Sequence, residues 1–333
     1  MTTTAAAATA AATITLRAWR GLDDLNGMAE ANQRLRTHVG LVDAIDLEAM
    51  RHRYTHLVNC DPAVDLRIAE RGGATEGYAR VEWHNLEDGD RLFDVTLALA
   101  PDAWGTGAMD ALLDWAESRC REVAAGLPAN RRSWLGNWVF GGDTELEGAL
   151  VRRGYDRVRS GAEMLRPDLE EIVGWPLAGG YTIRAPLAPE LRAVFDMTVL
   201  AFRDHWGEHV AEDETFEGWV EDPRFRRDLV VCAWHGDEPV SVVMNVLTSA
   251  PDGSVRGLLE GVATHPGHRR LGLGKAVVTE SLRVLRAAGA TSAYLGVDQQ
   301  NHLRAMDLYE ACGFRQVTTE TTWRRPLEQE AEA

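Results

Sequence analysis

A glycine-rich turn with three basic residues stands in the second half of the chain, as Arg269-Arg270-Leu271-Gly272-Leu273-Gly274-Lys275. The apolar residues 258–264 before it predict a strand, and the apolar spacing after it predicts a helix that continues to residue 288. Free backbone N–H groups and the helix dipole favour an anion at the start of a helix. Because glycines let the backbone approach a phosphate, the turn is a predicted pyrophosphate site. Taken alone, the same residues also suit an ordinary strand-to-helix turn.

A second motif follows further along the chain, as Asn301-His302-Leu303-Arg304-Ala305-Met306-Asp307-Leu308-Tyr309-Glu310-Ala311-Cys312-Gly313-Phe314. It predicts a short helix that ends at Gly313, before an aromatic residue enters a last strand. In this order and spacing, the two motifs resemble those of the GCN5-related N-acetyltransferase (GNAT) family, Q/R-x-x-G-x-G/A and N-x-x-A-x-x-L-Y-x-x-x-G-F. The matching positions are Arg269, Gly272 and Gly274 in the first motif, and Asn301, Ala305, Leu308, Tyr309, Gly313 and Phe314 in the second.

The resemblance implies acyl transfer from acetyl-CoA to an amine, on a sheet whose fourth and fifth strands splay apart to admit the pantetheine arm. The residues that it implies for acetyl-CoA binding are Val262, Ala263, Thr264, Arg269, Arg270, Leu271, Gly272, Leu273, Gly274, Lys275, Asn301 and Tyr309. A backbone N–H of the splayed strand, such as that of Val262, would polarise the thioester carbonyl. Asn301 would hydrogen-bond the pantetheine arm, or cap the helix that follows it, a position that suits asparagine.

Two side chains are candidate catalytic groups. Tyr309 stands at the family's tyrosine position, where a phenol can protonate a departing thiolate at nearly matched pKa. The alternative is a helix tyrosine that packs against the sheet. Glu260 is the one charged residue in an otherwise apolar strand, so a partly desolvated carboxylate there could take the acceptor's proton. The alternative is a strand-edge glutamate that points to water.

Polar and aromatic residues follow the predicted first helix of the second half, in a region that borders the acceptor site in the family. The candidates for binding a cationic amine are Asp204, His205, Trp206 and Glu208. A capped helix end packed on its neighbours is the alternative. His205 and His209 have helical spacing, but Gly207 between them weakens a helix, and no metal site is predicted.

Composition narrows the class of protein. The chain has 333 residues, enough for two domains, and no apolar run as long as a membrane span. Its net charge of -16 disfavours nucleic acid and would attract a cationic substrate, although acidity can also serve solubility alone. Four scattered cysteines without a C-x-x-C pair predict a reduced, cytoplasmic protein without structural zinc.

The two halves of the sequence repeat each other. Thr15-Leu16-Arg17-Ala18 recurs as Thr182-Ile183-Arg184-Ala185, an offset of 167 residues. The same offset relates Gly105 and Gly107 to Gly272 and Gly274, and makes Asp102 the counterpart of Arg269. An offset of 159 relates Arg153-Gly154-Tyr155 to Cys312-Gly313-Phe314, which makes Leu150 the counterpart of Tyr309 and Gly142 that of Asn301.

These counterparts predict that the first copy is catalytically silent. Asp102 would repel a phosphate, and Leu150 cannot donate a proton. The glycine turn survives, so weak acetyl-CoA binding by the first copy stays open. The first copy would bury surface against the second and help to shape the acceptor cleft.

The predicted fold is α/β, with two tandem GNAT-like domains, each a mixed, mostly antiparallel sheet with a splayed central strand pair and flanking helices. The predicted bounds are a disordered tail at 1–12, a degenerate domain at 13–169, a linker at 170–180, a catalytic domain at 181–327 and a tail at 328–333. Strands are predicted at 66–70, 77–84, 93–100, 132–138 and 155–165, then at 181–185, 229–235, 239–247, 258–264, 292–297 and 314–323. Helices are predicted at 23–35, 109–125, 189–204, 214–220, 272–288 and 303–312.

The sequence therefore predicts an acetyl-CoA-dependent N-acetyltransferase, active in its C-terminal copy, as a monomer or homodimer. Tandem copies with a degenerate first half resemble the arrangement of mycothiol synthases. No residue pattern fixes the acceptor, so an amino sugar, an antibiotic or a mycothiol-precursor-like amine all fit. The alternative from another class is an acyl-CoA-binding sensor without catalysis, against which the intact Tyr309 argues.

Overall fold

Twelve strands of this chain join in one mixed sheet, in a computed structural model that describes residues 13–203, 206, 213–300 and 304–327. The predicted tails lie outside the described residues. So do six residues to which a role or a spacing argument was attached, namely Asp204, His205, Gly207, Glu208, His209 and Asn301.

The first half holds six strands and five helices among the described residues. The strands are β1 Thr15–Ala18, β2 Leu66–Arg71, β3 Ala74–Asn85, β4 Arg91–Leu99, β5 Ser133–Phe140 and β6 Asp156–Arg166. The helices are α1 Asp24–His38, α2 Leu47–Thr55, α3 Pro62–Asp65, α4 Ala108–Ala125 and α5 Thr144–Arg152. The predicted strands are present with shifted ends, and α2 lies in a segment up to residue 58 that was predicted to be loop-rich and helical. Helices α3 and α5 were not predicted.

The second half repeats this order with six strands and four helices in its described residues. The strands are β7 Tyr181–Arg184, β8 Val231–His235, β9 Glu238–Ser249, β10 Val255–Thr264, β11 Ser292–Asp298 and β12 Arg315–Pro326. The helices are α6 Leu191–Phe202, α7 Asp213–Glu221, α8 Leu273–Ala287 and α9 Ala305–Ala311. All of the predicted elements of this half are present, with ends that differ by a few residues.

The last strand of each half lies among the strands of the other half. The strand order is β1-β2-β3-β4-β5-β12-β6-β11-β10-β9-β8-β7. Strand β12 pairs with β5 and β6, both from the first half, and β6 pairs on its other side with β11. The prediction of a separate sheet for each copy is therefore wrong in this respect. Hydrophobic patterns show that a segment is a strand, but they do not say which neighbour it pairs with.

Both halves contain the predicted splayed strand pair. Strand β4 pairs with β5 in parallel from Arg91 to Val95. Strand β10 pairs with β11 in parallel over Arg256, Gly257 and Leu258, while its other edge pairs with β9 as far as Thr264. Beyond Leu258, the edge of β10 that faces β11 is therefore free of strand pairing, and a gap opens between the two strands.

Helices cover both faces of the sheet because strand side chains alternate between faces. On one face, α4 packs on Phe93 and Leu135, and α8 packs on Leu259 and Leu295. On the opposite face, α1 covers the outer strands of the first half and α6 those of the second half. A cavity opens over the middle of this second face, between the two helices. None of the described helices is both long and apolar enough to cross a bilayer.

Candidate active site

A cavity of about 1060 Å³ connects the glycine-rich turn to the exchanged strands. Its walls come from α6, β10, the start of α8, β11 and α9, and continue over β6 and β12 to β4 and β5. The predicted site residues along it are Trp206, Glu260, Val262, Ala263, Thr264, Arg269, Arg270, Gly272, Leu273, Gly274, Lys275 and Tyr309. The structure thus brings the two motifs together. Leu271 is the described exception, since it does not line the cavity and its side chain is exposed.

The glycine-rich turn presents a helix end without a cap. Gly272 is the N-cap of α8 in the left-handed region, at φ 79° and ψ 0°, and no side chain of the described residues caps the helix. A residue with a Cβ would be strained at this φ, which explains the glycine. The backbone N–H groups of the first turn have no partner inside the helix and are available to an anion. These features fit the pyrophosphate of acetyl-CoA.

Two of the basic residues of the turn are held by the protein itself. The Arg269 guanidinium donates to the carbonyl of Thr264 at 3.2 Å and to that of Ala201, in α6, at 2.9 Å. The Lys275 ammonium lies 4.1 Å from the ring centre of Trp175 in a cation–π contact. Arg269 therefore connects α6 to the turn. Both residues place positive charge near the start of α8, although their side chains are already held by contacts within the protein.

Glu260 is not the desolvated carboxylate that the sequence predicted. It falls at a β-bulge, where the register of β10 against β9 shifts between Leu259 and Gly261. Its side chain is 45% exposed, and one oxygen lies 3.8 Å from the Arg224 guanidinium, which is itself paired with Asp222 at 2.7 Å. A bulge adds one residue to the strand and re-aims its side chain. This places Glu260 at the cavity rim, in water.

Tyr309 lies in the wall of the cavity, as its predicted role requires. Its side chain is 7% exposed and its ring meets Phe314 edge-on at 6.1 Å. Within the described part of the chain, its hydroxyl makes no hydrogen bond. Burial raises the pKa of Tyr309 above the ordinary phenol value. A thiolate that leaves into the same cavity is desolvated as well, so its affinity for a proton rises in parallel.

Three charged residues of the cavity floor had no role predicted from the sequence. They are Glu320 and Arg324 on β12 and Asp94 on β4. Burial, with the negative charge of Glu163, raises the pKa of Glu320 to about 7. Burial, followed by the negative charge of Glu82, raises the pKa of Asp94 to about 7.

Arg324 is buried beneath an aromatic ring. Its guanidinium carbon lies 4.1 Å from the ring centre of Trp206, and its Nε has no hydrogen-bond partner among the described residues. Burial lowers the pKa of Arg324. Glu320, Thr322 and Arg324 alternate along β12 and so share one face of the sheet. That alternation is visible in the sequence, but it indicates a site only once β12 is known to lie at the cavity.

The first half forms a turn of the same shape at an offset of 165, not 167. Gly107 is the left-handed N-cap of α4 at φ 83°, as Gly272 is for α8, and Gly105 at φ 69° corresponds to Arg270 at φ 65°. The counterpart of Arg269 is therefore Trp104, and the assignment of Asp102 to that position is wrong. The sequence repeat pairs Gly105 with Gly272 and Gly107 with Gly274. The backbone conformation instead pairs the two N-cap residues, Gly107 and Gly272.

The turn of the first half is closed by its own side chains. Glu145, in the first turn of α5, accepts a hydrogen bond from the N–H of Gly105 at 2.9 Å. The Trp104 indole donates to the carbonyl of Leu99, at the end of β4, at 3.1 Å. Leu150, the counterpart of Tyr309 in the sequence repeat, is fully buried in the core. A carboxylate thus occupies the place of an anion in this half.

Comparison with known proteins yields a family and several relatives. Residues 191–314 match the model of the acetyltransferase (GNAT) family. The chain is 28% identical to a mycothiol acetyltransferase of Geodermatophilus obscurus over 78% of its length and 82% of the relative's. It is 26% identical to a mycothiol acetyltransferase of Beutenbergia cavernae over 91% of this chain and 98% of that protein.

Solved structures share the fold along nearly the whole chain. A GCN5-related N-acetyltransferase from Sphaerobacter thermophilus superposes with a TM-score of 0.73 at 19% identity, covering 95% of this chain and 96% of that one. A tandem GNAT protein from the clavulanic acid biosynthesis pathway gives a TM-score of 0.67 at 15% identity, covering 95% and 98%. At such identities, the likeness concerns the fold.

Proposed function

This chain is a GNAT acyltransferase that uses acetyl-CoA, and from that premise we propose that it acetylates the primary amine of a small molecule in its C-terminal half. The observation that carries this proposal is the convergence on one cavity of three features. They are the uncapped start of α8 at Gly272, the gap beyond Leu258, and Tyr309.

The assignment of activity to the C-terminal half rests on the difference between the two glycine turns. The turn at Gly272 is open, whereas Gly105 already donates to Glu145. A pyrophosphate at the first turn would have to displace that carboxylate, and the nearby Trp104 indole also holds a carbonyl of the strand end. We therefore propose that each chain has one acetyl-CoA site.

The proposed roles follow from the position of each group. The backbone N–H groups after Gly272 would hold the pyrophosphate, and the free edge of β10 at Val262, Ala263 and Thr264 would bind the pantetheine arm. A backbone N–H of that edge would polarise the thioester carbonyl. Tyr309 would give its proton to the departing sulfur.

The acceptor would enter from the side of the cavity that faces β12. The carboxylates of Glu320 and Asp94 lie on this floor, with Glu260 at the rim. Together with the net charge of -16, they favour a cationic acceptor. The names of the relatives at 26% and 28% identity make a mycothiol-precursor-like amine one candidate, beside amino sugars and amine-bearing antibiotics.

A test of the proposal is acetyl transfer to a panel of primary amines, for example glucosamine, cysteamine, tyramine, agmatine and spermidine. Release of the CoA thiol that depends on an amine, together with the acetylated amine in the product mixture, would support it. Tight acetyl-CoA binding without turnover on any amine would instead favour the acyl-CoA-binding sensor.

A further inference from the structure

We propose that Glu320 binds the ammonium group of the acceptor and takes its proton during acyl transfer. This inference rests on the proposed function, because it assigns a base to that reaction. It assigns the base to a residue of the exchanged strand β12, which lies outside both sequence motifs.

Glycines on the adjacent strand β6 and on β11, the next strand beyond it, make room for the Glu320 carboxylate. Glu320 pairs across β12 and β6 with Gly161. A Cβ on Gly161 would lie 2.7 Å from Glu320 Oε1, and a Cβ on Gly296 of β11 would lie 3.9 Å from it. Gly296 comes two residues after Tyr294, the last residue of β11 that pairs with β10. The carboxylate therefore stands over the two glycines, beside the opening of the strand gap.

The carboxylate is free to act. The structure shows no hydrogen bond or ion pair of Glu320 among the described residues, and the side chain lines the same cavity as Tyr309. Glu260, by contrast, is 45% exposed and lies near the Arg224 guanidinium. Of the two carboxylates, Glu320 is the one without a cationic neighbour in ion-pair distance among the described residues, so we assign the proton transfer to it and negative charge at the rim to Glu260.

The charges around Glu320 suit a cationic guest. Glu163, on β6, is the charged neighbour that adds to the effect of burial, and together they raise the pKa of Glu320 to about 7. Glu163 is in turn near Asp43, Arg36 and Arg256. Besides Glu320, the charged residues of β6, β11 and β12 that line the cavity are Arg159 and Asp298, which form an ion pair at 2.7 Å, and Arg324 further along β12. An ammonium beside Glu320 would relieve its repulsion with Glu163.

The proton balance of the reaction is then complete. Glu320 takes one proton from the acceptor's ammonium, which frees the nitrogen lone pair. That nitrogen forms a bond to the thioester carbonyl carbon, and the C–S bond breaks with its electron pair on sulfur. The second proton lost by the nitrogen reaches the sulfur through Tyr309, and Glu320 returns its own proton to water when the products leave.

This arrangement gives the silent first half a part in catalysis. Strand β12 is held between β5 and β6, both from the first half, and Gly161 of β6 lies beneath the carboxylate. The first half thus acts as the support that positions Glu320 over the gap formed by the second half.

The first experiment compares Glu320→Gln with Glu260→Gln, on whichever amine of the panel gives the highest kcat/KM in the wild type. Loss of a general base lowers the rate by about a hundred- to ten-thousand-fold, so we expect this loss for Glu320→Gln near neutral pH with unchanged acetyl-CoA affinity. High pH should partly restore the rate because free amine becomes abundant. A larger loss in Glu260→Gln than in Glu320→Gln would overturn the assignment.

Two further variants keep the Glu320 side chain and change either its position or its pKa. Gly161→Ala should displace the carboxylate and lower kcat, whereas Gly148→Ala, on α5 and outside the site, serves as the matched glycine control. Glu163→Gln removes a negative neighbour, so it should shift the rising limb of the pH–rate curve to lower pH. A limb that stays in place in Glu163→Gln while disappearing in Glu260→Gln would contradict the proposal.

An infrared titration of carboxyl groups separates this inference from the proposed function. In the wild type, one protonated carboxyl that is absent in Glu320→Gln should ionise with a midpoint near neutral pH. Spermidine or another amine of the panel should lower that midpoint. No acetylation of any amine would count against the proposed function, whereas a titration identical in wild type and Glu320→Gln would overturn the role of Glu320 even in an active enzyme.

Discussion

A Cβ atom on Gly274 would lie 2.9 Å from Cδ1 of Leu308, closer than van der Waals contact allows. Gly274 belongs to the first turn of α8 and Leu308 to α9, so the two sequence motifs meet at this point. Tyr309 is the next residue after Leu308. The absence of a side chain at Gly274 therefore sets how near α9 and its tyrosine come to the glycine-rich turn.

Gly274→Ala should disturb catalysis more than stability. The added methyl group must push the end of the Leu308 side chain, which costs about 1 kcal/mol of unfolding free energy. A shift of α9 would move Tyr309, and a misplacement of about 1 Å can cost on the order of a hundredfold in rate. Steady-state kinetics and denaturant unfolding check this, with Gly218→Ala on α7 as a control whose Cβ meets nothing within 4 Å. An unchanged kcat would show that Leu308 yields without moving α9.

Gly272→Glu should abolish tight acetyl-CoA binding, while Gly107→Glu should leave it intact. The two glycines have the same left-handed N-cap conformation, with φ of 79° and 83°, and a Cβ on either meets nothing within 4 Å. Both changes add the same strain and the same charge, but only one falls at the open turn. Isothermal calorimetry on the wild type should show one tight site for each chain. Two such sites, or a tight site that survives Gly272→Glu, would refute the proposed division of labour.

Tyr309→Phe should lower kcat by about ten- to ten-thousand-fold, with little change in acetyl-CoA affinity or in Tm. The melting temperature should stay the same because the Tyr309 hydroxyl makes no hydrogen bond among the described residues that the change would remove. Burial raises the pKa of Tyr309, so the phenol stays protonated through the neutral and mildly alkaline range. The activity of the wild type should therefore not fall through ionisation of Tyr309 as pH rises through this range. An unchanged kcat with chemistry limiting the rate would exclude the proton transfer.

Asp94→Asn should stabilise the protein near pH 8 and have little effect near pH 5. Burial raises the folded-state pKa of Asp94 to about 7, well above the unfolded value of about 3.9. The folded state then binds more protons between these values, so stability falls as pH rises through that window. The asparagine removes this loss, which is worth on the order of a few kcal/mol. Denaturant unfolding at both pH values, with exposed Asp102→Asn as the control, checks the prediction. Equal effects at the two pH values would contradict it.

The two halves should need each other to fold. Residues 1–180 and 181–333, produced as separate chains, would each lack a strand that its sheet requires, since β12 lies between β5 and β6. Unpaired strand edges promote association, so each half alone should aggregate. Co-expressed halves should form a one-to-one complex with acetyltransferase activity. A soluble, monomeric and cooperatively unfolding C-terminal half would contradict this expectation.

Local patterns were enough to predict the elements and the C-terminal half of the site. The period of apolar residues predicted the helix after Gly272, and the spacing from Arg269 to Phe314 predicted that both motifs serve one site. Each of these depends on residues near in sequence or on a known motif. The resemblance also anticipated the gap beyond Leu258.

Long-range pairing was not predictable in the same way. Nothing in the sequence around Glu320 states that β12 lies between β5 and β6, so a buried carboxylate on that strand carried no visible signal. The choice between the buried and the exposed alternatives for Glu260 could not be made from the sequence for a related reason, because an apolar run does not reveal a β-bulge. At the glycine turn, the predicted offset of 167 differs from the observed 165. The prediction paired glycines with glycines, whereas the backbone conformation of Gly105 corresponds to that of Arg270.

The exchange of final strands also has a consequence for synthesis. During translation, β5 and β6 leave the ribosome before the strand that joins them, Arg315–Pro326, which is made only after β7 to β11. Domains usually fold as they emerge, the N-terminal one first. Here the edges of β5 and β6 that pair with β12 stay unsatisfied until β12 has been made. The sheet of the N-terminal half therefore closes only after Arg315–Pro326 has left the ribosome, in the same event that places Glu320 over the cavity.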